Sequence, residues 1–126
     1  MKRLLVLKVI CSNIMRKMRF RLIIIMRIFA VIRWHCTNEK FSAQEYIDVN
    51  CNYPGDWDGA IECIEEMGEI LITAVRVFPK NRSASFHVVS FVKFKDNLIS
   101  ELDECWADDG EAPDWRKKLN VGVHIR

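Results

Sequence analysis

Four strand-like runs joined by short turns constrain the fold of this chain more than any other feature. They cover residues 57–67, 70–78, 84–94 and 99–106. Apolar and polar residues alternate along the later runs, which is the pattern of a strand with one buried face. Gly68-Glu69 and Asp96-Asn97 have the turn chemistry expected between paired strands. Strands this close along the chain predict an antiparallel meander.

One helix and one further strand are predicted ahead of the meander. Ser42 stands three residues before Glu45, which is the spacing of a capping box and predicts a helix over residues 43–52. Residues 30–36 are β-branched and aromatic and predict a strand, and residues 37–40 predict a turn. A chain of 126 residues with a helix before a run of strands indicates a single domain of the α+β class.

The charge distribution separates the N-terminal segment from the rest. Residues 1–38 hold nine Lys and Arg and no acid, whereas residues 39–126 hold ten Lys and Arg and seventeen Asp and Glu. Lys8 and Arg27 interrupt the apolar runs, so neither a secretory signal nor a membrane-spanning helix is predicted. A surface helix on anionic lipid is disfavoured, because the basic residues of 16–21 lie all round the helical cylinder.

We hypothesise that residues 1–30, an atypical basic and apolar segment, are translated in a shifted frame. Residues 22–28 could be encoded by TTA ATT ATT ATT ATG AGG ATT. The same bases read one position earlier give a run of Asn, Tyr, Glu and Asp, which suits a soluble protein. The shortage of acids and the excess of Ile, Met and Arg agree with this hypothesis.

The sequence lacks the motifs of several classes of partner and cofactor. The five cysteines form no C-x-x-C pair and no zinc-ligand spacing, and their odd number predicts free thiols in a reducing, cytoplasmic compartment. The acidic residues 108–111 lack the spacing of a calcium loop. No phosphate-binding glycine motif or nucleophile elbow occurs. Residues 116–118 are too short a basic cluster for nucleic acid. We therefore expect no metal, cofactor or nucleic-acid partner.

Four stretches carry a resemblance to a known family, and the last is the most specific. They are residues 32–39 (IRWHCTNE), 50–57 (NCNYPGDW), 99–104 (ISELDE) and 106–116 (WADDGEAPDWR). Over residues 31–126 the chain resembles the nuclear transport factor 2-like superfamily in its SnoaL-like branch, and it is most similar to a bacterial subgroup of small proteins.

The resemblance implies a cone-like curved antiparallel β-sheet wrapped on helices, with an apolar pocket at its open end. Members of the superfamily include ketosteroid isomerases, polyketide cyclases, dehydratases, limonene epoxide hydrolases and proteins that only bind. Two helices normally precede the first strand, and residues 1–30 do not resemble them. We therefore interpret residues 31–126 as an incomplete cone domain. Outward apolar residues of 70–78 and 84–94 have no helix to cover them, which predicts a homodimer.

His35 and Glu104 are the predicted proton-handling pair, with His87 as a further candidate. His35 ends the first predicted strand, near where the resemblance implies an acid or base at the pocket mouth. Leu102, Glu104 and Trp106 share one face, and we predict that this face is buried, which would raise the pKa of Glu104. Glu101 and Asp103, on the other face, are then predicted to be solvated. In the alternative, both histidines only make local hydrogen bonds.

Aromatic and amide side chains are predicted to line the pocket. They are Trp34, Tyr46, Asn50, Trp57 and Trp106, and the alternative is that they are core residues without a ligand. The sequence leaves three functions open. The chain is a cofactor-free acid–base enzyme on a small apolar substrate, a non-catalytic member that binds a ligand or partner, or a truncated or frame-shifted product without activity.

Overall fold

The computed structural model describes residues 26–126. Its strands and helices are β1 Met26–Trp34, β2 Glu39–Ser42, α1 Ala43–Cys51, β3 Trp57–Met67, β4 Ile70–Pro79, β5 Phe86–Lys95, β6 Leu98–Asp108 and α2 Asp114–Lys117. The six strands form one curved, unclosed sheet in the order β2-β1-β6-β5-β4-β3. This confirms the α+β class and the curved sheet that the sequence predicts.

The predicted meander from β3 to β6 is confirmed. Each of these strands pairs antiparallel with the next, and β3 is an edge strand. Asp96 and Asn97 connect β5 to β6 with φ values of 53° and 62°. Two successive left-handed residues form the type I′ turn that suits the twist of a two-residue hairpin, and Asp and Asn tolerate this conformation well.

Helix α1 begins where its capping box predicts. The Ser42 side chain accepts a hydrogen bond from the Glu45 amide at 3.2 Å, which satisfies one of the free donors of the first turn. Tyr46 and Ile47 are buried and join the core. We call the sheet face that they contact the inner face. The core is formed by Met26, Ala30, Ile32, Phe41, Tyr46, Ile47, Leu71, Val92, Phe94, Ile99 and Leu102.

The pairing of β1 was not predicted. Strand β1 lies parallel to β6, with Ile32 opposite Leu102 and Trp34 opposite Glu104. It also pairs antiparallel with β2, so residues 39–40 are strand rather than turn. The contacts between β1 and β6 join residues about 70 positions apart, and no local turn signal indicates a partner so distant along the chain.

The bounds of β1 also differ from the predicted strand over 30–36. The strand starts at Met26 and ends at Trp34, so His35 and Cys36 belong to the turn that follows. Met26 and Ala30 are buried in the core. The frame-shift hypothesis concerns residues 1–30, of which 1–25 lie outside the described residues. Within 26–126, no helix has the length and apolar character that a membrane crossing requires.

Candidate functional site

A row of four side chains crosses the inner face of the sheet. Trp34 on β1 lies opposite Glu104 on β6, Glu104 lies opposite Ser90 on β5, and Ser90 lies opposite Thr73 on β4. Directly paired residues on neighbouring strands project from the same face of a sheet. The fold therefore places three polar side chains next to one another on a face that is otherwise mostly apolar.

Glu104 is the centre of this row and is buried, with 5% of its surface exposed. One carboxylate oxygen accepts hydrogen bonds from the Trp34 indole N–H at 3.1 Å and from the Tyr46 hydroxyl at 3.1 Å. The other accepts a hydrogen bond from the Ser90 hydroxyl at 2.7 Å. All three donors are neutral side chains, so they satisfy the carboxylate without supplying a positive charge.

Burial raises the pKa of Glu104 above its ordinary value, and the hydrogen bonds from Ser90, Trp34 and Tyr46 partly oppose this effect. Burial together with the nearby Glu104 raises the pKa of Tyr46 well above the ordinary tyrosine value. Tyr46 therefore stays protonated and acts as a donor. A buried carboxyl with a raised pKa can hold or release a proton closer to neutral pH than an exposed one.

Aromatic rings enclose one side of the carboxyl. Trp34 makes edge-to-face contacts with Trp106 at 5.0 Å and with Tyr46 at 6.1 Å between ring centroids. Phe41 contacts the Trp34 ring at 4.8 Å. The packed rings keep the indole N–H of Trp34 directed at Glu104 and exclude water from that side of the carboxyl.

The prediction that one face of β6 is buried is largely correct. Leu102 and Glu104 are buried, whereas Glu101 and Asp103 face the other way in ion pairs with Arg33. Ile99, which strict alternation assigns to the outward class, is buried instead. The β5–β6 register shifts between Lys93 and Phe94. Such a bulge adds one residue to a strand and reverses the alternation beyond it.

His35 does not meet Glu104. Its ring nitrogen lies 2.8 Å from Asp103 Oδ1, and its side chain is 52% exposed. Asp103 and Glu104 are consecutive residues of β6, so their side chains project from opposite faces. Only the His35 backbone reaches Glu104, by an N–H that donates to its carbonyl oxygen at 3.1 Å. The predicted proton-handling pair is therefore not assembled by these side chains.

His87 belongs to a separate cluster on the outer face. Its Nδ1 bonds Asp109, and its Nε2 lies 2.8 Å from Glu62. Arg126 pairs with Glu62 at 3.0 Å. The hydrogen bond to Asp109 is the main cause that raises the pKa of His87. Among residues 26–126, no three His, Cys, Asp or Glu side chains are placed to hold a metal ion.

Two of the predicted pocket residues make other contacts. The Asn50 side chain donates to the Tyr46 carbonyl at 2.8 Å, which is a bond within helix α1. Trp57 stacks edge-to-face on Tyr53 and Phe86 at the start of β3. Trp34, Tyr46 and Trp106 are thus the members of the predicted set that surround Glu104.

Ser90 and Thr73 are site residues that the sequence prediction missed. Both are fully buried. Ser90 interrupts an inward row of Val and Phe residues on β5, and this single polar break was the available signal. Thr73 had no comparable signal, because its place beside Ser90 depends on the β4–β5 register. Among the described residues its hydroxyl has no hydrogen-bond partner.

No protein-family model matches the sequence, and no curated protein matches it either. Solved structures do share its fold. A candidate ketosteroid isomerase from Kribbella flavida DSM 17836 superposes with a TM-score of 0.77 at 20% identity, covering 98% of this chain and 90% of that one. An NTF-2 like protein of unknown function from Burkholderia xenovorans LB400 superposes with a TM-score of 0.70 at 16% identity, covering 89% and 87% of the two chains.

A candidate SnoaL-like polyketide cyclase from Jannaschia sp. CCS1 has a TM-score of 0.68 at 12% identity, covering 94% of this chain and 89% of that one. The curved sheet and its helix therefore define an NTF2-like fold, and the resemblance predicted from the sequence is confirmed at the level of the fold.

Proposed function

We propose that the inner face binds a small, largely apolar molecule and that the Glu104 carboxyl exchanges a proton with it. The supporting observation is a buried carboxyl with a raised pKa that is held by three neutral donors. A carboxyl of this kind is poised for general acid or base work without a cofactor. A cationic partner would instead fix it in the charged form.

The other members of the cluster have supporting roles in this proposal. Trp34 and Trp106 form an apolar wall beside the carboxyl, and Tyr46 is a protonated donor that would orient a substrate oxygen. Reactions of isomerase, cyclase or hydrolase type depend on such a proton transfer. The names of the similar structures include an isomerase and a cyclase, which supports this reaction class without choosing a substrate.

A probe of α-proton exchange tests the proposal directly. We would follow deuterium incorporation into 2-tetralone, an apolar ketone with acidic α-protons, by NMR in D₂O with the full chain. We expect the protein to accelerate exchange and Glu104→Gln to lose about 10²–10⁴ of that acceleration. Glu101→Gln, three residues away on the outer face, is the matched control and should retain it. Equal rates for Glu104→Gln and the unaltered chain would refute the role of Glu104.

A binding-only function is the second candidate, and one observation favours it. The Glu104 carboxylate already accepts three hydrogen bonds, and the imidazole rings of His35 and His87 bond other carboxylates instead of completing an acid–base pair with it. In that case 2-tetralone binds and raises the melting temperature, yet its exchange rate equals the rate without protein. Thermal shift and exchange measured on the same samples separate the two candidates.

We further propose that the outer face forms a homodimer interface. Phe91 is 43% exposed on β5 and lies beside Ile72 on β4. An interface of standard size, about 800 Å² per partner, would remove these side chains from water. Light scattering at micromolar concentration should report twice the chain mass, and Phe91→Lys should shift it to the monomer. A monomer for the unaltered chain would refute the dimer.

A further inference from the structure

Two cysteines meet where β1 ends against β6. The parallel register that pairs Trp34 with Glu104 continues through the His35 amide, which donates to the Glu104 carbonyl. One residue further on, the Cys36 sulfur lies 3.2 Å from the Trp106 amide nitrogen, and its thiol donates to the Trp106 carbonyl oxygen at 3.1 Å. The turn after β1 therefore places Cys36 against the backbone of β6.

This position brings the Cys36 sulfur next to Cys105. The Trp106 amide nitrogen is bonded to the carbonyl carbon of Cys105, so the Cys36 sulfur, 3.2 Å from that nitrogen, lies at the peptide bond that follows Cys105. The Cys36 side chain is also among the groups that raise the pKa of Cys105, as expected of thiols that are neighbours. Cys36 lies in the turn after β1, so strand alternation does not hold its side chain on the face opposite Cys105. A disulfide between them requires Cα atoms about 4.4–6.8 Å apart.

Both thiols are exposed, so a small oxidant reaches them. The Trp106 N–H points at the Cys36 sulfur and stabilises negative charge that develops there. Desolvation, together with the adjacent Cys36, raises the pKa of Cys105. The raised pKa disfavours Cys105 as the first nucleophile, so Cys36 reacts with the oxidant first and Cys105 gives up its proton only as it attacks in the second step.

We propose that Cys36 and Cys105 form a peroxide-sensitive dithiol that oxidises to an intramolecular disulfide. In the first step the Cys36 thiolate attacks one oxygen of hydrogen peroxide, and the O–O bond breaks to give a sulfenic acid and hydroxide, which becomes water. In the second step the Cys105 sulfur attacks the sulfenic sulfur, the S–O bond breaks and a second water leaves. Two thiols and one peroxide give one disulfide and two waters.

The disulfide ties the end of β1 to β6 next to the residues that hold Glu104. Trp34 lies two residues before Cys36, and Glu104 lies directly before Cys105. The bond closes a long loop of the chain, which restricts the unfolded state more than the folded one. The inference does not depend on the proposed acid–base function, because it rests only on the two sulfurs and their backbone contacts.

Peptide mapping after peroxide treatment tests the proposal. The full chain is treated with one equivalent of hydrogen peroxide, alkylated and digested without reductant. We expect a 36–105 linked peptide, protection of both thiols from alkylation and a melting temperature higher by roughly 10 °C, reversed by dithiothreitol. Cys63→Ser, at an exposed position on edge strand β3, is the matched control and should still form the link.

The single variants separate the two steps. Cys105→Ser should leave a sulfenic acid at Cys36 that dimedone traps, and Cys36→Ser should leave Cys105 alkylatable after the same treatment. The proposal is overturned if the treated chain lacks the 36–105 peptide, whether both thiols stay alkylatable, over-oxidise separately or link to other cysteines. Mass analysis of the unaltered chain gives this answer even if a variant fails to fold.

Discussion

Asp103 and Glu104 are neighbours on β6 that have opposite environments. Glu104 is buried on the inner face and held by three neutral donors, and its pKa is raised. Asp103 faces outward, where hydrogen bonds from His35 and Arg33 outweigh partial burial and lower its pKa. Strand alternation alone separates the two carboxyls. The contrast shows that the partner's charge and the access of water, rather than residue type, decide whether a carboxyl resists or favours ionisation.

Truncation of each carboxyl should give the largest difference between the two faces. Glu104→Ala leaves the Trp34, Tyr46 and Ser90 donors buried without an acceptor, so we expect a loss of about 3 kcal/mol or more in the free energy of unfolding. Asp103→Ala breaks partly exposed ion pairs and should cost about 1 kcal/mol or less. Urea denaturation at pH 7 measures both. A larger loss for Asp103→Ala would reverse the assignment of faces.

The ionisation of Glu104 should cause the second-largest effect, a change in the free energy of unfolding with pH. Its folded pKa is raised, so between the ordinary carboxyl pKa and the folded pKa the unfolded state ionises while the folded state does not. The free energy of unfolding of the unaltered chain, compared with that of Glu104→Gln, should therefore fall as pH rises through this window. The expected fall is about 1.4 kcal/mol for each pH unit that separates the folded pKa of Glu104 from the unfolded one. A flat difference would mean that the three donors fully offset burial.

Asp103 should show the opposite and smaller pH dependence. Its folded pKa is lowered, so its contribution to stability is present above the ordinary Asp pKa and is lost as pH falls through the folded value. Compared with Asp103→Asn, the unaltered chain should gain less than about 1 kcal/mol in the free energy of unfolding as the pH is raised. The gain is small because the ion pairs of Asp103 are partly solvated. Salt should weaken this gain and leave the Glu104 effect nearly unchanged.

His87 should have the smallest effect on stability, and this effect should decrease as pH rises. Asp109, Glu62 and Arg126 face its ring, and its folded pKa is raised chiefly by the bond to Asp109. The contribution of His87 to the free energy of unfolding is present below the ordinary His pKa and is lost as pH rises through its folded-state pKa. His87→Ala should cost less than about 1 kcal/mol at pH 6 and nothing measurable at pH 9. Equal costs at both pH values would show that packing, not charge, stabilises the cluster.

Part of the candidate site was predictable from local pattern. Leu102 and Trp106 flank Glu104 two residues on either side, so a strand that buries these apolar residues also buries the acid. Tyr46 was predicted for the same site from the apolar face of the capped helix. The place of His35 was not predictable, because the strand ends at Trp34 and the ring turns to Asp103 instead.

Local residue patterns were sufficient to predict the helix start at Ser42, the antiparallel order of β3 to β6, the turn at Asp96-Asn97 and the inward face around Glu104. These features depend on side chains within a few residues of one another, so their signals are local. Tertiary structure alone decided the parallel β1–β6 pairing, the reversal of Ile99 at the bulge and the meeting of Cys36 with the Cys105 segment. Each of these depends on register with a strand distant in the sequence, and register is fixed by packing the whole inner face at once.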